Sequence, residues 1–547
     1  MYTQSSSRQV HPFCRVLLVL RRLLIPWVPR RDPGIRDYED GGIDVECLGN
    51  LSPHRAVDAY LPKNSHQIAH YIDISGMDPS ITNLPELLGL EIKTPLDPDW
   101  ERYSSTYNLR VPVVPKLVTL PTCIGQVSQA VRWAAGCGLK IQARSGGHSY
   151  ASHSNGGVDG SVVVDLRKLQ DVELSQDGIV RVGGGVRLGN LASTILRDGR
   201  ALAHGTCPAV RIGGHFTHGG FGFTSRAWGL SMDQIVRLDV VMPDGQVVQA
   251  SESENNDLYV AMRGAADSFG IIVNFYLLTR EEPKAVVKWS VDVPTAIKSV
   301  KSAVETFEYI QNFVNNATVV DRYLGIVIFF AHDRFTIEGT YLGDCAEFHD
   351  KIFMPLRQGF PAAEAIHANY RSVDWSSLLQ LWAGDGEVEV GPNYEEHLIF
   401  FAKSAVVSHP GLSRDELEGY FTFLLSEGPS TPVDYFVGAQ LYGGADSQIT
   451  AHAAPDSYGH RDAMWVFQHH GSVRGGEFPD EGIRFIDNLN KALGPEHGAS
   501  NNYADPSLQR DEAHKLYYGE KLAGLAKLKG ALDPQDVFSH PQSIQRE

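Results

Sequence analysis

Cysteine is scarce in this chain of 547 residues, which has six cysteines and no Cys-x-x-Cys pair. So few cysteines exclude a disulfide-stapled scaffold, and the missing pair leaves a structural zinc site without support. Basic residues are in deficit, because 48 Lys and Arg face 65 Asp and Glu and the formal charge is −17. Nucleic acid and anionic membranes bind basic faces, so we expect neither as a partner.

Long hydrophobic runs are also missing. Near the start of the chain, the apolar run Val16–Leu20 is interrupted by Arg21 and Arg22. A secretory signal needs roughly 7–15 uninterrupted apolar residues, and a membrane-spanning helix needs about 20. The N-terminal segment is therefore a poor signal peptide and predicts no transmembrane helix.

Two nucleotide-binding fingerprints are absent. Gly183 and Gly185 follow a predicted strand, but Leu188 stands where the pattern G-x-G-x-x-G needs its third glycine. No glycine-rich loop ends in Lys followed by Ser or Thr. The usual dinucleotide-binding fold and the P-loop fold are therefore not indicated.

The most informative stretch present is Gln142–Tyr150, with the sequence Gln-Ala-Arg-Ser-Gly-Gly-His-Ser-Tyr. It follows a predicted helix over Cys123–Gly138 and a predicted strand over 139–143. Paired glycines let the backbone approach an anion closely, and successive N–H groups form an anion-binding nest. The nest would carry His148 against its ligand. The alternative is an ordinary surface turn with a solvated histidine.

A second glycine-rich stretch runs from Gly205 to Gly222 and contains too much glycine for a compact helix or strand. Such backbone either lacks structure or wraps around a ligand, and the interleaved apolar residues favour a ligand. His204, His215 and His218 raise the alternative of a metal site. No acidic residue stands among them and Cys207 is the only cysteine there, so we predict no metal.

Short strands, glycine turns and intervening helices indicate an α+β protein with two lobes. The pattern of predicted segments changes near Glu281. Beyond this residue the segments are longer and predict one antiparallel sheet backed by helices. We divide the chain into an irregular basic segment (1–35), an N-terminal extension (36–109), a first lobe (110–282), a second lobe (283–499) and a C-terminal segment (500–547) that returns to the first lobe. Local patterns also predict a strand over Ile271–Leu278 and one helix over Asp511–Gly530.

Motifs spread over residues 144–544 resemble the covalent flavoprotein oxidases of the PCMH-type (vanillyl-alcohol oxidase) superfamily. The similarity is to members with two covalent flavin bonds, the berberine-bridge-enzyme-like and glucooligosaccharide oxidase-like proteins. The matching motifs are Arg144–Tyr150, Gly205–Pro208, His218–Gly222, Trp228–Leu230, Met262–Gly264, Ser268–Ile271, Asn502–Ser507, Tyr517–Tyr518, Asp533–Pro534, Phe538 and Pro541–Ile544. The resemblance implies a PCMH-type FAD-binding domain at 110–282, a substrate-binding domain at 283–499 and a berberine-bridge-like segment at 500–547.

By this resemblance, the cofactor is FAD, bound through His148 to its 8α-methyl group and through Cys207 to its C6. Imidazole and thiolate are the side-chain nucleophiles that suit such bonds. The other residues that the resemblance places at the cofactor are Arg144, Ser145, Gly146, Gly147, Ser149, Gly205, Thr206, Gly213, Gly214, Gly219, Gly220, Gly222, Ile271 and Asn502.

The resemblance also implies the catalytic residues. Tyr503 matches the tyrosine base and Tyr150 a second active-site tyrosine, while Gln468 matches a glutamine on the substrate side. Gln440 stands where the oligosaccharide oxidases carry a carboxylate that helps the tyrosine to ionise. A phenol with a pKa near ~10 is a poor base at neutral pH, so this departure puts the activation of the base, and with it the sugar assignment, in question.

The expected reaction removes hydride from a substrate hydroxyl, for example at the anomeric carbon of an oligosaccharide to give a lactone, while O2 becomes H2O2. The alternative is a tailoring oxidase or dehydrogenase of secondary metabolism that oxidises an alcohol or forms a ring. A flavin-holding or metal-binding protein without activity is the remaining class. We expect a monomer whose partners are O2 and a small carbohydrate or natural product. The resemblance favours an extracellular protein, whereas the N-terminus leaves a cytoplasmic one open.

Overall fold

A computed structural model describes residues 89–360, 366–391 and 394–547. The predictions for residues 1–35 and for 36–88 of the N-terminal extension concern residues outside these ranges. The described part combines helices with four sheets. The α+β class expected from the sequence is confirmed.

The first sheet carries the loop Arg144–Tyr150. Its strands are β1 (Glu91–Lys93), β2 (Leu117–Leu120), β3 (Ile141–Arg144) and β4 (Val162–Asp165), in the order β1-β2-β4-β3. Strands β2 and β3 both run parallel to β4, because the helix Ile124–Gly136 makes the crossover between β2 and β3. Strands β2 and β4 are buried along their whole length, as expected for parallel strands covered on both faces.

A second, five-stranded sheet completes the first lobe. The strands that follow in the chain are β5 (Val172–Leu174), β6 (Ile179–Gly183), β7 (Arg200–Ala201), β8 (Ile235–Val241), β9 (Val247–Ser251), β10 (Ile271–Leu278) and β11 (Arg280–Glu281). The sheet order is β5-β6-β10-β8-β9, and β7 pairs separately with β11. The helices Leu188–Leu196 and Asn256–Ala265 belong to this lobe.

The glycine-rich stretch 205–222 departs from the prediction. We expected neither helix nor strand there, but Ile212–Thr217 forms a short helix. Ile212 and Phe216 are fully buried, so burial of these apolar side chains offsets the low helix propensity of the two glycines between them. A second short helix, Ser225–Trp228, follows.

The second lobe contains a seven-stranded sheet. Its strands are β12 (Val286–Asp292), β13 (Leu324–Ala331), β14 (Arg334–Tyr341), β15 (His367–Val373), β16 (Ile399–Ser408), β17 (Asp434–Leu441) and β18 (Ala463–Val473). The order is β15-β12-β14-β13-β17-β18-β16, and every neighbouring pair is antiparallel. One antiparallel sheet was predicted here, although β14, β15 and β16 were not. The α-helices of this lobe, among the residues that the structure describes, include Val300–Val314, Cys345–Glu347, Met354–Gln358, Trp375–Ala383, Arg414–Glu427 and Asp480–Lys491.

The two faces of the seven-stranded sheet differ in character. Val437, Ala439 and Phe467 lie on the face that packs against the helices Val300–Val314 and Arg414–Glu427 in a large apolar core. Because side chains alternate along a strand, Gln440 and Gln468 point to the opposite face. The two glutamines thereby lie on the same face of the sheet, away from this core.

The C-terminal segment contacts the first lobe. The helix predicted over Asp511–Gly530 is interrupted, because Gly519 adopts a φ of +50° between the helices Arg510–Tyr518 and Leu522–Leu532. The fully buried ammonium of Lys529 donates to Asp533 at 2.6 Å and to the carbonyl of Ser268 at 2.7 Å. These contacts hold the segment that carries Tyr503 against the first lobe. Within the described residues, no helix has the length and apolar character to cross a membrane.

Candidate active site

The loop that follows β3 presents a row of backbone N–H groups. Gly147 has a φ of +76°, which favours glycine, and a Cβ on Gly146 would lie in tight contact, 3.1 Å from the backbone nitrogen of Arg211. The N–H groups of Gly146, Gly147 and His148 donate no hydrogen bond to any residue that the structure describes. The loop therefore presents unused N–H donors of the kind that an anion-binding nest requires.

Buried ion pairs and hydrogen bonds fix the conformation of this loop. Arg144 donates to Asp165 at 2.8 Å, and Arg167 bonds the same carboxylate. Burial alone would raise the pKa of Asp165, but the two guanidinium groups lower it to about 2. Ser145 donates through its hydroxyl to the carbonyl of Gly184 at 2.6 Å. Arg144 and Ser145 thus position the loop by bonding to protein groups.

A cavity beside the nest carries an excess of positive charge. Its lining includes the nest residues 145–148 together with Arg187 and Arg211. Burial and the neighbouring Arg187 lower the pKa of Arg211 to about 9, and the Nε of Arg211 has no partner among the described residues. Unused N–H donors and buried guanidinium groups suit a pyrophosphate. The residues present therefore fit FAD.

His148 lines this cavity and stays neutral at physiological pH. Burial, with the charges of Arg187 and Arg211, lowers the pKa of His148 to about 3. The ring of Tyr107 packs against it with centroids 4.5 Å apart. A neutral imidazole retains a nucleophilic nitrogen throughout the physiological pH range.

Cys207 lies in the segment between β7 and the helix Ile212–Thr217, where its side chain is partly exposed. Burial raises the pKa of Tyr150 and of Tyr503, and electrostatic coupling to Cys207 contributes to the rise at both hydroxyls. The attachment of the cofactor at Cys207 stays a prediction from the motif matches.

The three histidines of this segment, His204, His215 and His218, each contact other protein groups. The Nε2 of His215 accepts from the N–H of Gly205 at 2.9 Å, and the Nδ1 of His204 lies 2.7 Å from the carbonyl of Gly205. The Nε2 of His218 lies 3.4 Å from Asp267. Burial lowers the pKa of His218, but Asp267 reverses this effect, so the net pKa is raised. The three rings do not converge on a common point.

Most of the other predicted cofactor residues lie in the same two segments. Gly219 and Gly220 have φ values of +114° and +83°, and the amide of Asn502 donates to the carbonyl of His218 at 2.9 Å. Ser149, Thr206, Gly213, Gly214 and Gly222 belong to the two glycine-rich segments. Asn502 and Ile271 lie outside these segments, and Ile271 is fully buried at the start of β10. Its cofactor contact stays a prediction.

The four predicted catalytic residues form two tyrosine–glutamine pairs. The amide of Gln440 donates to the Tyr503 hydroxyl at 2.7 Å, and the amide of Gln468 donates to the Tyr150 hydroxyl at 2.9 Å. The two tyrosine rings lie 5.8 Å apart. The Oε1 atoms of both glutamines are buried and have no partner among the described residues. Each amide therefore keeps an acceptor for a bound molecule.

The position of Gln440 decides how Tyr503 ionises. Burial raises the pKa of Tyr503 to about 12, while the hydrogen bond from Gln440 acts in the opposite direction. An amide N–H stabilises a phenolate by donating to it, whereas a carboxylate could only accept the phenol proton. Ionisation of the Tyr503 hydroxyl is therefore assisted by a neutral donor.

Replacing Gln440 by Leu should remove that assistance. A hydrogen bond to a charged group contributes about 1.5–3 kcal/mol, which corresponds to a loss of roughly 10- to 150-fold in kcat/KM at neutral pH. Because the phenol pKa rises further, the rise of activity with pH should move to higher pH. A pH profile of kcat/KM, with flavin content measured in parallel, checks this, and an unshifted profile would exclude the role of Gln440.

Several residues at the site were not predicted. Tyr107, Arg187 and Phe400 come from parts of the chain without a recognisable motif, and Phe400 packs edge-on against Tyr150 at 4.7 Å. His470 stacks on Phe400 with centroids 4.9 Å apart. Two-residue alternation could have placed His470 on the same face of β18 as Gln468. The others required the three-dimensional contacts.

Comparisons with known proteins agree with this geometry. The family described as "FAD binding domain" matches residues 115–251, and the family described as "Berberine and berberine like" matches residues 501–545. A chitooligosaccharide oxidase of Gibberella zeae is 33% identical over 81% of this chain and 90% of its own length. A carbohydrate oxidase of Microdochium nivale is 34% identical over 83% of this chain and 93% of its own.

The solved structures include a glucooligosaccharide oxidase from Acremonium strictum described as carrying a 6-S-cysteinyl, 8α-N1-histidyl FAD. It superposes with a TM-score of 0.79 at 28% identity, over 84% of this chain and 97% of that one. The FAD-binding domain, the berberine-like segment and relatives at one-third identity over nearly their whole length agree. The chain therefore belongs to the PCMH-type FAD-linked oxidases, the group of the berberine-bridge-enzyme-like proteins and oligosaccharide oxidases.

Proposed function

We propose that this oxidase holds FAD through His148 and Cys207 and oxidises the anomeric hydroxyl of a reducing oligosaccharide to a lactone. The substrate loses one hydride and one proton, and O2 takes up two electrons and two protons to become H2O2. The observation that carries the proposal is the convergence of Tyr503 and Tyr150, each bonded by its own glutamine, in the neighbourhood of His148, since Tyr107 packs against both His148 and Tyr150.

The two attachment residues suit their roles chemically. His148 is neutral because burial and nearby arginines lower its pKa, so the ring can attack as a nucleophile without first losing a proton. Cys207 supplies a thiol, whose deprotonated form is the strongest side-chain nucleophile available for a bond to carbon.

The bound flavin supplies the hydride acceptor, and the protein supplies the base and the orientation. Tyr503 would take the hydroxyl proton while Gln440 donates to the resulting phenolate. Tyr150, held by Gln468, would orient the substrate from the other side. The unpartnered Oε1 atoms of the two glutamines offer acceptors for sugar hydroxyls, which supports a carbohydrate.

A second candidate is a tailoring oxidase that acts on an aromatic or otherwise apolar alcohol. Phe400, His470 and Phe436 form a continuous stack, with ring centroids 4.9 and 5.1 Å apart. Aromatic faces beside a reactive site suit a planar substrate, and an FAD-linked oxidoreductase of Metarhizium anisopliae is 31% identical over 83% of this chain.

Measuring the H2O2 released with different substrates distinguishes the two candidate functions. The purified protein is incubated in air with reducing oligosaccharides built from glucose, xylose or N-acetylglucosamine, and separately with benzylic and allylic alcohols. We expect peroxide and the corresponding aldonic acid from at least one sugar. Sugar chains with a reduced, open terminal residue are the matched control and should give none. Peroxide from the aromatic alcohols alone would establish the second candidate.

A further inference from the structure

A largely buried ion pair lies two residues from Tyr503 along the chain. The ammonium of Lys403, on the edge strand β16, lies 3.0 Å from a carboxylate oxygen of Asp505 and donates to Asp487 at 2.6 Å. The side chain of Lys403 is 12% exposed and that of Asp505 is 6% exposed. Burial lowers the pKa of Lys403, but the two carboxylates reverse this effect, so the net pKa is raised and the ammonium stays charged.

Strand β16 holds the turn that carries Tyr503 at both ends of the turn. Before Tyr503, the backbone N–H of Ser500 donates to the hydroxyl of Ser404 at 2.9 Å, and both residues are buried. After Tyr503, the carboxylate of Asp505 pairs with the ammonium of Lys403. Two neighbouring residues of one strand therefore fix the turn on either side of the tyrosine.

The same strand is in register with the strands of the two glutamines. Ser404 pairs with Gln468 of β18, and β18 in turn pairs with β17, where Val466 lies opposite Gln440. The position of Tyr503 relative to both glutamines therefore depends on how its turn is fixed to β16.

Asp505 has three further partners, and all of them belong to the C-terminal segment. Its carboxylate accepts from Ser507, its backbone N–H donates to the hydroxyl of Tyr517, and its carbonyl accepts from the amide of Gln542. Among the residues that the structure describes, Lys403 is the one side chain of the second lobe that bonds Asp505. This ion pair is thus the link between the carboxylate and the sheet of the glutamines.

We propose that Lys403 is a positioning residue for the oxidation, which acts through Asp505 to hold the hydroxyl of Tyr503 at the amide of Gln440. This inference rests on the proposed role of Tyr503 as the base. The bond from Gln440 to Tyr503 spans 2.7 Å, so a displacement of about 1 Å would break it. Charge-assisted hydrogen bonds are shorter and stronger than neutral ones, which suits an anchor that must not shift.

The test measures the rate of flavin reduction when the flavin-loaded protein is mixed anaerobically with its best reducing sugar. A displacement of about 1 Å at a catalytic group can slow the chemical step about 10²-fold, and we expect that loss for Lys403→Met. In a Tyr503→Phe background the same substitution should cause no further slowing, because no hydroxyl is left to position. Lys403→Arg keeps a charge for both carboxylates and should recover most of the parent rate.

Lys288→Met is the matched control for loss of a largely buried lysine. Lys288 donates to Glu338 at 3.1 Å in the same sheet, and the two side chains are 16% and 9% exposed. This pair joins β12 and β14, which carry none of the residues described at the site. We expect a near-parent rate of flavin reduction from this control.

Asp505→Asn provides a second variant for the same comparison if Lys403→Met does not fold. It leaves Lys403 paired with Asp487, so no buried charge loses its only partner. Its reduction rate should fall when Tyr503 is present and stay unchanged in the Tyr503→Phe background. Flavin content is measured for every variant.

The outcomes separate this inference from the proposed function. Equal slowing with and without the Tyr503 hydroxyl would make Lys403 a structural residue and overturn the inference alone. Parent-like reduction by both Lys403→Met and Asp505→Asn would also overturn it and leave sugar oxidation in place. Parent-like reduction by Tyr503→Phe, or no reduction by any reducing sugar, would overturn the proposed function and the inference together.

Discussion

A Tyr503→Phe variant is expected to hold its flavin as the parent protein does and to be reduced by substrate about 10²- to 10⁴-fold more slowly. The phenylalanine ring fills the same space, but the hydroxyl that Gln440 contacts at 2.7 Å is lost. Without that oxygen, the substrate proton has no acceptor of comparable reach. The measurement is the rate at which the yellow flavin absorbance disappears after anaerobic mixing with substrate.

Tyr435→Phe is the matched control, because this tyrosine lies on β17, the strand of Gln440, but its hydroxyl accepts from the backbone N–H of His332 at 2.9 Å. Its pKa is also raised to about 12 by burial, so a high phenol pKa alone does not distinguish the two residues. We expect near-parent rates from this control. Reduction of Tyr503→Phe at the parent rate would show that another group takes the proton.

The second large effect is expected on flavin retention. In a His148→Ala or a Cys207→Ala variant one covalent bond remains, so protein precipitated with acid should still be yellow. The double variant should release all of its flavin to the supernatant. The Cys207→Ala variant should in addition show a changed absorbance spectrum, because a sulfur substituent on the flavin ring is lost. Absorbance of the pellet and supernatant, with the mass of each flavin-bearing peptide, measures both effects.

Cys123→Ala serves as the control for cysteine substitution, since Cys123 is exposed and lies at the start of the helix Ile124–Gly136, within the first lobe. Its flavin content and spectrum should match those of the parent. A colourless acid pellet from the parent protein would exclude covalent flavin altogether. Retained colour in the double variant would assign the attachment to other residues.

Sequence patterns were most informative where local physics alone determines the structure. The strand Ile271–Leu278 has the predicted bounds, because apolar residues continue along its buried length. The paired glycines predicted a tight turn after β3, and Gly147 has a φ of +76° that few other residues adopt. By contrast, β15 is mostly exposed and polar, so no apolar alternation marked it.

The chemistry of the site depended on contacts between distant segments. Tyr503 and Gln440 lie 63 positions apart, and Gln468 and Tyr150 lie 318 apart. The sequence could name these residues through motif matches, but only the register of β17 and β18 shows that both glutamines face the tyrosines. Arg211 is a residue whose role could not be read from the sequence. It stands there as one arginine near glycines, and only its burial beside Arg187 in the structure shows that it lines the cationic cavity.

The most direct test of the account is anaerobic mixing of the flavin-loaded protein with a reducing oligosaccharide that carries either hydrogen or deuterium at its anomeric carbon. The account predicts that the flavin absorbance disappears, more slowly with deuterium, and that admitting O2 restores it with one H2O2 per flavin. Flavin that stays oxidised with every reducing sugar tested would contradict the account.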